Sequence, residues 1–457
     1  MTATSKPSLP RWAVLGPLRR PRFRRMVTAQ FASELGDGIT TVALPLYVYA
    51  RTQSPLATSL TFMAELLAGV VLGVVGGVLA DAFDRQRVLI ASYLVRCLLL
   101  VGAVLAGPLW LAILLGVMAR AGGQLDNPSF DAMVPEHADD DLQQVLALRR
   151  IVQSISYTVG PAVGALAVTL IGPRSALLLD SATFLVAMAL LAPIRDLDRS
   201  VAERRAAHAG DDLRTRLRSM FEGVRVLLAT RTVRRLMAYW TIVMATVAIV
   251  MAAAIVWFAE DLEVGDAWYG LSVAAYGIGA TLGLALAGGR TFRMSLAAIL
   301  VISAPIYAVC SVIGVVALEP WLLPAGWLVW GIAMGPELVL GELLVVESVP
   351  EEVRGRAFAA MAVLTMLGMA AGYGAAGVML EVIGARATIA WTSVGILALA
   401  LLWVGPALHD RRVLAAQRCP DDLLSEAGVR RRAGTQADLA PEIFSDSPAA
   451  GAPGSRV

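Results

Sequence analysis

The stretch GGVLADAFDRQR, residues 76–87, decides the fold, because it ends one long apolar run and precedes another. A second copy of its glycine pair follows at residues 288–289, an offset of 212 positions. The same offset carries Gly160 onto Gly372 and Gly172 onto Gly384. One constant offset at three separated places predicts two halves of similar internal plan.

The composition is that of a membrane protein. Hydrophobic residues make up 57% of the 457 residues, charged residues 16%, and the mean hydropathy is +0.68. Soluble globular proteins are less apolar, and a single anchor is far shorter. A duplicated polytopic chain is typical of membrane transporters rather than of soluble repeat arrays. The three cysteines are scattered and there are only three histidines, so we expect no disulfide framework, metal site or cofactor.

A membrane-spanning helix needs about 20 mostly apolar residues. Twelve windows meet this requirement, six in each half, and we call them spans 1 to 12: about 27–50, 56–80, 88–106, 109–133, 145–170, 174–194, 235–259, 268–289, 295–317, 320–346, 357–380 and 386–408. The sequence therefore predicts an all-α membrane protein with twelve transmembrane helices in two pseudo-symmetric six-helix bundles.

Basic residues concentrate in alternate loops. The loop 195–234 is rich in arginine, and the loops two and four spans away carry Arg85 with Arg87, Arg290 with Arg293, and Arg354 with Arg356. The loops between these hold single arginines at most, and one of them is acidic around residues 260–266. The positive-inside rule then places both termini and the central loop in the cytoplasm.

We therefore expect five parts. Residues 1–25 form a basic cytoplasmic arm that lacks the features of a signal peptide, and 26–194 form the N-terminal bundle. A cytoplasmic linker, the C-terminal bundle and a disordered cytoplasmic tail follow at 195–234, 235–408 and 409–457. The linker contains an amphipathic helix with the apolar face Leu213, Leu217, Met220, Val224 and Leu228. Two interpretations of the arm stay open: disorder, or contact with anionic headgroups around Leu15, Leu18 and Phe23.

Three motifs resemble those of a known family. The loop Gly77-x-Leu79-Ala80-Asp81-x3-Arg85-x-Arg87 resembles the signature loop of the major facilitator superfamily, although Asp84 replaces a usual glycine and Gln86 a usual basic residue. Gly160-Pro161-Ala162-Val163-Gly164 in span 5 resembles the motif of its proton-coupled export branch. Leu35-Gly36-Asp37 and residues 350–356 are similar to the bacterial subgroup of macrolide-efflux and siderophore-export permeases.

This resemblance implies the major facilitator fold and a proton-coupled antiporter. Such a protein exports a small lipophilic compound, for example a drug, a macrolide-like product or a siderophore, by alternating access in the bacterial cytoplasmic membrane. An uptake permease for a nutrient is the alternative. A membrane enzyme or receptor is remote, because the sequence contains no zinc-protease, phosphate-loop or nucleophile-elbow motif. The expected partners are the small substrate, protons and the lipid bilayer, without nucleic acid, and we expect a monomer.

The resemblance assigns a conformational switch to the loop after span 2. In the family fold, Asp81 lies near the start of span 11, whose positive end it would hold as a latch. Arg85 and Arg87 would compete for Asp81, and Gly77 belongs to the same motif. The alternative is an ordinary solvated loop whose arginines only set orientation.

Span 1 carries one polar stripe, formed by Gln30, Glu34, Asp37 and Thr41 at spacings of 4, 3 and 4. Asp37 lies about 15 Å into a core about 30 Å thick. An ionised carboxylate is costly there, so we expect its protonation to respond to substrate. Asp37 is the first candidate for proton coupling and Glu34 the second, against the alternative of a static ion pair or hydrogen bond.

Span 4 carries the complementary stripe Arg120, Gln124 and Asn127, which we expect to bind substrate. Arg120 is expected to pair with Asp37 or Glu34, either as a switch or as a static bridge between spans. Glu65 and Arg96 are placed on opposite faces and are not expected to pair with each other. Asp126 and Asp180 are expected to reach water at the membrane surface.

The second half offers large apolar groups near an acid. Trp240 on span 7, with Trp330 and Glu337 on span 10, suits a bulky lipophilic ligand, although core packing or lipid contact explains such residues more often. In span 5, Pro161 bends the helix while Gly160 and Gly164 form a small-residue face. We expect that face to pack on span 8 at Gly279 and Gly283.

Overall fold

The structure is a computed structural model that describes residues 16–136, 142–194, 224–225, 228, 231–265, 267–290, 296–316, 319–349 and 351–417. This part of the chain is helical and contains no strand. The chain divides into two compact units, Met1–Val404 and Gly405–Val457. The described part of the second unit is the end of the last helix, up to Gln417, and the candidate site lies in the first unit.

The first half of the described chain contains helices α1 to α6, and the second half α7 to α11. Their bounds are α1 Pro21–Thr52, α2 Pro55–Ala82, α3 Arg85–Leu105, α4 Leu109–Ala121, α5 Gly123–Glu136 and α6 Leu142–Leu191. They continue with α7 Arg231–Val256, a π-helical turn Trp257–Asp261, α8 Ala267–Arg290, α9 Leu296–Val316, α10 Leu322–Ser348 and α11 Glu351–Gln417.

All twelve predicted spans fall on these helices. Span 4 is divided between α4 and α5, whereas α6 carries spans 5 and 6 and α11 carries spans 11 and 12. The two long helices bend at Gly172 and Gly384, which have φ of +81° and +75°. Glycine adopts such angles without steric penalty, and these two lie 212 positions apart. The bends thus repeat the internal plan that the sequence predicts.

Length and hydropathy alone identify seven of the described helices as able to cross a membrane. The all-α membrane architecture is therefore confirmed, while the count of twelve crossings stays a prediction.

The starts of α2 and α3 follow from their sequence. Ser54 accepts a hydrogen bond from the Ala57 amide at 3.2 Å, and Pro55 follows as the first helical residue. At the start of α3, Asp84 Oδ1 accepts a hydrogen bond from the Arg87 amide at 3.0 Å. The aspartate that departs from the signature loop is therefore the N-cap of α3.

The glycine face of α6 packs against α1, so the predicted contact with span 8 was wrong. A Cβ on Gly160 would lie 2.8 Å from the Cα of Gly38, and one on Gly164 would lie 2.8 Å from that of Ile39. Only glycines allow the two backbones to approach this closely. The Pro161 ring lies beside the same contact, because its Cδ would be 3.0 Å from a Cβ on Gly38.

The glycines of span 8 face a neighbour in their own half. A Cβ on Gly279 or Gly283 would collide with the backbone of α10 at Leu328 or Ile332. Helices α6 and α8 do touch, but through Ala165 against Gly270 and through Thr158 Oγ1, 3.2 Å from Thr281 Oγ1.

Other contacts between the halves gather where α1 ends and α2 begins. The Tyr49 hydroxyl donates to Glu260 Oε1 at 2.6 Å, and Phe62 stacks on Tyr373 with ring centroids 4.4 Å apart. In the predicted orientation this is the extracellular end of the helices.

The arm and linker are described in part. Phe23 is buried in the main core and Leu18 packs against it, so the headgroup interpretation was wrong for both. Val224 and Leu228 pack against a small apolar cluster that includes Val233. Residues 1–15, 195–223 and 418–457 lie outside the described part, with Leu15, Leu213, Leu217 and Met220.

Candidate functional site

A buried arginine on α3 joins two acids from other helices. Arg96 Nη2 donates to Asp37 Oδ1 on α1, and Arg96 Nη1 donates to Asp126 Oδ2 on α5 at 2.7 Å. The Arg96 side chain is 2% exposed. Charge-assisted bonds in such a low-dielectric interior are strong, so Arg96 ties α1, α3 and α5 together.

The break between α4 and α5 makes room for Arg96. Its Nε donates to the Ala119 carbonyl at 2.8 Å, near the end of α4. A Cβ on Gly122 would lie 3.0 Å from Arg96 Cγ, so a larger residue would press on the arginine stem. The guanidinium also lies over the Phe184 ring, 4.2 Å from its centroid.

A second arginine, Arg120 on α4, lies at the more open edge of this group. It donates to Asp37 Oδ1 at 3.3 Å and to Thr41 Oγ1 at 2.8 Å, and its Nε is 4.0 Å from Glu65 Oε2 on α2. The exposed fractions of the side chains are 26% for Arg120, 21% for Asp37 and 11% for Glu65. The structure thus brings Arg120 of span 4 against Asp37 and Thr41 of the stripe predicted on span 1.

These five side chains form one cluster, which we call the central ion cluster: Asp37, Glu65, Arg96, Arg120 and Asp126. It holds three carboxylates and two guanidiniums, so it carries one excess negative charge when every acid is ionised. Glu65 Oε1 and Asp126 Oδ1 are both buried without a hydrogen-bond partner among the described residues. Asp126 Oδ2 is 2.7 Å from Arg96, however, whereas Glu65 Oε2 is 4.0 Å from Arg120, so Glu65 is the least satisfied acid. Binding of one proton would neutralise the cluster.

The second candidate acid on span 1 belongs to another network. Glu34 Oε1 accepts from Arg149 Nη1 on α6 at 2.8 Å and from Gln30 Nε2 at 3.0 Å. Arg149 also donates to Asp131 at 3.2 Å. Among the described residues, Glu34 is therefore ion-paired with Arg149. Of the two candidate acids, Asp37 is the one that contacts Arg120.

The predicted stripe on span 4 does not continue through the helix break. Arg120 lies on α4, whereas Gln124 and Asn127 lie on α5. Gln124 faces α2, where its Cγ would be 3.3 Å from a Cβ on Gly69. On α5, Asp126 joins the central ion cluster, by its bond to Arg96, where the prediction had placed Gln124 and Asn127.

Two acids expected at the membrane surface are buried instead. Asp126 is paired with Arg96, and Asp180 accepts from the Thr40 hydroxyl at 2.5 Å. Residue counting places both near span ends, but Asp126 in the first turn of α5 and Asp180 within α6 are both covered by neighbouring helices.

In the second half, the predicted ligand residues lie among packed helices. Trp240 Nε1 donates to Thr365 Oγ1 at 3.2 Å, which links α7 to α11. Trp330 is buried on α10 with its ring 5.5 Å from that of Tyr307. Glu337, also on α10, is buried and accepts from the Ser303 hydroxyl.

The loop motif is described in part. Gly77 and Asp81 lie in α2, but their side-chain environment is outside the described part of the structure, so the latch stays a prediction. Arg85 is buried and donates to the Ala132 carbonyl at 2.9 Å, near the end of α5. The Arg87 side chain is 88% exposed, and its Nε lies 3.9 Å from Asp84 Oδ2.

Sequence reasoning missed Arg96, Asp126, Glu65 and Arg149 as parts of the networks. Glu65 and Arg96 do not pair with each other among the described contacts, as expected, yet both join the cluster through Asp37 and Arg120. Their signal was visible: each is a charged residue inside an apolar span, where charges mark functional sites.

A protein family and a bacterial relative match most of the length of this chain. The family described as a transmembrane secretion effector matches residues 12–435. YfiS, an uncharacterized MFS-type transporter of Bacillus subtilis, is 27% identical over 385 residues, which cover 80% of this chain and 90% of that protein.

Two efflux proteins match shorter segments. Macrolide efflux protein A of Streptococcus pyogenes is 26% identical over 151 residues, covering 32% of this chain and 37% of that protein. The multidrug efflux pump Tap of Mycobacterium tuberculosis is 25% identical over 193 residues, covering 39% and 45%.

Solved transporters share the fold at low identity. The nucleoside transporter NupG has a TM-score of 0.70 at 13% identity, covering 84% of this chain and 98% of that one. A bacterial homologue of the human lysosomal transporter Spinster has a TM-score of 0.65 at 14% identity, covering 86% and 98%. Together with the family match over most of its length, this places the chain in the major facilitator superfamily, as a multi-pass membrane transporter of the transmembrane secretion effector family and not an enzyme.

Proposed function

We propose that this chain is a proton-coupled exporter that moves a small lipophilic compound out of the cell. The observation that carries the proposal is the place of Asp37, whose carboxylate is shared by Arg96 and Arg120 while its side chain stays 21% exposed. A carboxylate held by two cations at a partly open edge is able to exchange its partners. A proton or a cationic substrate would compete with Arg120 for it.

The mechanism follows from the excess negative charge of the central ion cluster. When Asp37 takes up a proton, its attraction for Arg120 falls, whereas Arg96 keeps its bond to Asp126. Arg120 then relies on Thr41 and Glu65, so the link between α1 and α4 weakens. Loss of the proton restores the link, and alternation of these two states moves the halves.

The contacts between the halves fit alternating access. In the predicted orientation, the Tyr49–Glu260 bond and the Phe62–Tyr373 stack close the extracellular end. A cycle that releases substrate outside has to break both contacts. Breaking them when Asp37 changes its proton would couple the two events.

The direction and the substrate class rest on relatives. Macrolide efflux protein A and the multidrug efflux pump Tap are named for export of drugs, and each matches roughly a third of this chain. The bacterial cytoplasmic membrane, cytoplasmic termini and a monomeric state belong to the same proposal.

Transport into everted membrane vesicles tests the proposal. The probe is a panel of radiolabelled macrolides and fluorescent lipophilic dyes, with the vesicle lumen acidified by respiration. Accumulation of a probe in the lumen, abolished by a protonophore, is the expected result. Accumulation that ignores the protonophore, or movement of the probe out of the vesicles, would contradict proton-coupled export.

Asp37→Asn is the matched variant for this assay, with Glu319→Gln as control because Glu319 is an exposed acid in the described chain. We expect Asp37→Asn to lose gradient-driven accumulation at least tenfold while its amount in the membrane stays normal, and Glu319→Gln to keep both. Undiminished accumulation by Asp37→Asn would remove Asp37 from the coupling role.

A further inference from the structure

The second half contains a buried acid that the central ion cluster does not use. Glu337 on α10 is 3% exposed and accepts a hydrogen bond from the Ser303 hydroxyl on α9. The hydroxyls of Tyr239 on α7 and Tyr307 on α9 face the same carboxyl, and Tyr276 on α8 lies near it. Four helices thus enclose this side chain.

The neighbours of Glu337 are hydroxyl groups, whereas each acid of the central ion cluster faces an arginine. Among the described residues, no lysine, arginine or histidine lies within ion-pair distance of Glu337, and the hydroxyls that face it are uncharged. An ionised carboxylate enclosed in this way has no cation to offset its lost hydration. A neutral carboxyl group avoids this cost, and a neighbouring hydroxyl is able to accept a hydrogen bond from its O–H.

In this conformation Glu337 is 3% exposed, so its carboxyl is closed to an organic ligand. Glu337 does not line the small cavity between Met251, Tyr276 and Trp330, whose volume is about 10 Å³. That is enough for one water molecule at most. In this enclosed state, a proton is therefore the ligand that fits the Glu337 carboxyl.

The helix that carries Glu337 has a weak point next to it. Pro336 removes a backbone donor inside α10, and a helix is most easily bent at such a residue. One turn earlier, Ile332 contacts α8 so closely that a Cβ on Gly283 would collide with it. Bending at Pro336 would shift Glu337 relative to Ser303 and admit water to the carboxyl.

We propose that Glu337 is a proton-binding site of the C-terminal half. Its carboxyl holds a proton in the enclosed state, and when α10 bends the O–H bond breaks, the proton passes to water and a carboxylate remains. The link between this event and transport rests on the proposed proton-coupled export. The protonation of Glu337 in the enclosed state does not depend on it.

Infrared difference spectroscopy of the purified protein in lipid tests the protonation. The carbonyl stretch of a protonated carboxyl is expected at neutral pH in the wild type and absent from that position in Glu337→Gln. Glu319→Gln is the control and should leave the band in place. A wild-type spectrum that Glu337→Gln leaves unchanged would show that Glu337 is ionised and would overturn the proposal.

A second variant guards against a folding defect in Glu337→Gln. Ser303→Ala removes the hydroxyl that donates to the Glu337 carboxyl, so the band should persist at a higher frequency. An unshifted band would assign the signal to another acid and overturn the proposal.

Transport separates this inference from the proposed function. Glu337→Gln should exchange substrate across vesicles yet lose at least tenfold in gradient-driven accumulation. If wild-type transport ignores the proton gradient while the Glu337 band is present, proton-coupled export fails and the proton-binding site stands. If Glu337→Gln accumulates substrate normally, Glu337 is not coupled to transport.

Discussion

At the scale of single residues, Arg96 and Arg120 differ in burial and therefore in what their loss does. Arg96 is 2% exposed and holds Asp37 and Asp126, whereas Arg120 is 26% exposed and holds Asp37 more loosely. Breaking a buried pair leaves an uncompensated charge, while a partly exposed one is rescued by water. Arg96 is thus the structural member of the cluster and Arg120 the exchangeable one.

Arg96→Ala should lower the free energy of unfolding by about 3–5 kcal/mol, since the buried Asp126 loses its cation and Asp37 loses one of its two. Arg120→Ala should lower it by only about 1 kcal/mol, but should impair transport severely. Thermal denaturation of both variants in detergent, followed by tryptophan fluorescence, measures the difference. Equal losses of stability would contradict the division of roles.

At the scale of helices, close packing depends on glycines that face one another. Gly38 and Gly160 bring α1 and α6 together beside the central ion cluster, since Asp37 is the neighbour of Gly38. This contact fixes where the Asp37 carboxylate lies relative to α3 and α4.

Gly160→Ala should destabilise the protein by about 1–3 kcal/mol, because its Cβ would press on the backbone of α1. Gly395→Ala is the matched control, because a Cβ there meets no atom within 4 Å. The yield of monodisperse protein after heating compares them. A Gly160→Ala protein as stable as the control would show that the helices separate without cost.

The sequence predicted where the helices lie far better than it predicted which helices pack against one another. Every window predicted from hydropathy falls on a helix, and the 212-residue repeat anticipated the bends at Gly172 and Gly384. Periodicity also put Asp37 and Arg120 on facing stripes. It could not reveal the break at Gly122, which turns Gln124 away and lets Arg96 reach Ala119. Nor could periodicity show that Gly160 contacts α1, because it identifies the residues that share one face of a helix but not the helix that packs against that face.

At the scale of the whole molecule, the described residues of the two halves meet at the predicted extracellular end through few polar bonds. The Tyr49 hydroxyl, bonded to Glu260 at 2.6 Å, is one of them. Removal of the Tyr49 hydroxyl destabilises only the state in which this end is closed, because the bond exists only there. The equilibrium should therefore move toward the open state.

Tyr49→Phe should lengthen the distance between spin labels at the exposed positions Ala50 and Val382, measured by pulsed electron resonance. Thr61→Val is the control, because the Thr61 hydroxyl bonds within its own helix, to the Ala57 carbonyl at 2.8 Å. A distance distribution unchanged by Tyr49→Phe would mean that this bond does not hold the end closed.

The central claim is that a carboxyl in the first helix exchanges its proton as substrate binds. Substrate-triggered proton release from purified protein in weakly buffered detergent, followed with a pH indicator, measures this directly. A transported compound should release about one proton per wild-type molecule, as the excess charge of the cluster requires, and none from Asp37→Asn that still binds the compound. Equal release from both proteins would contradict the claim.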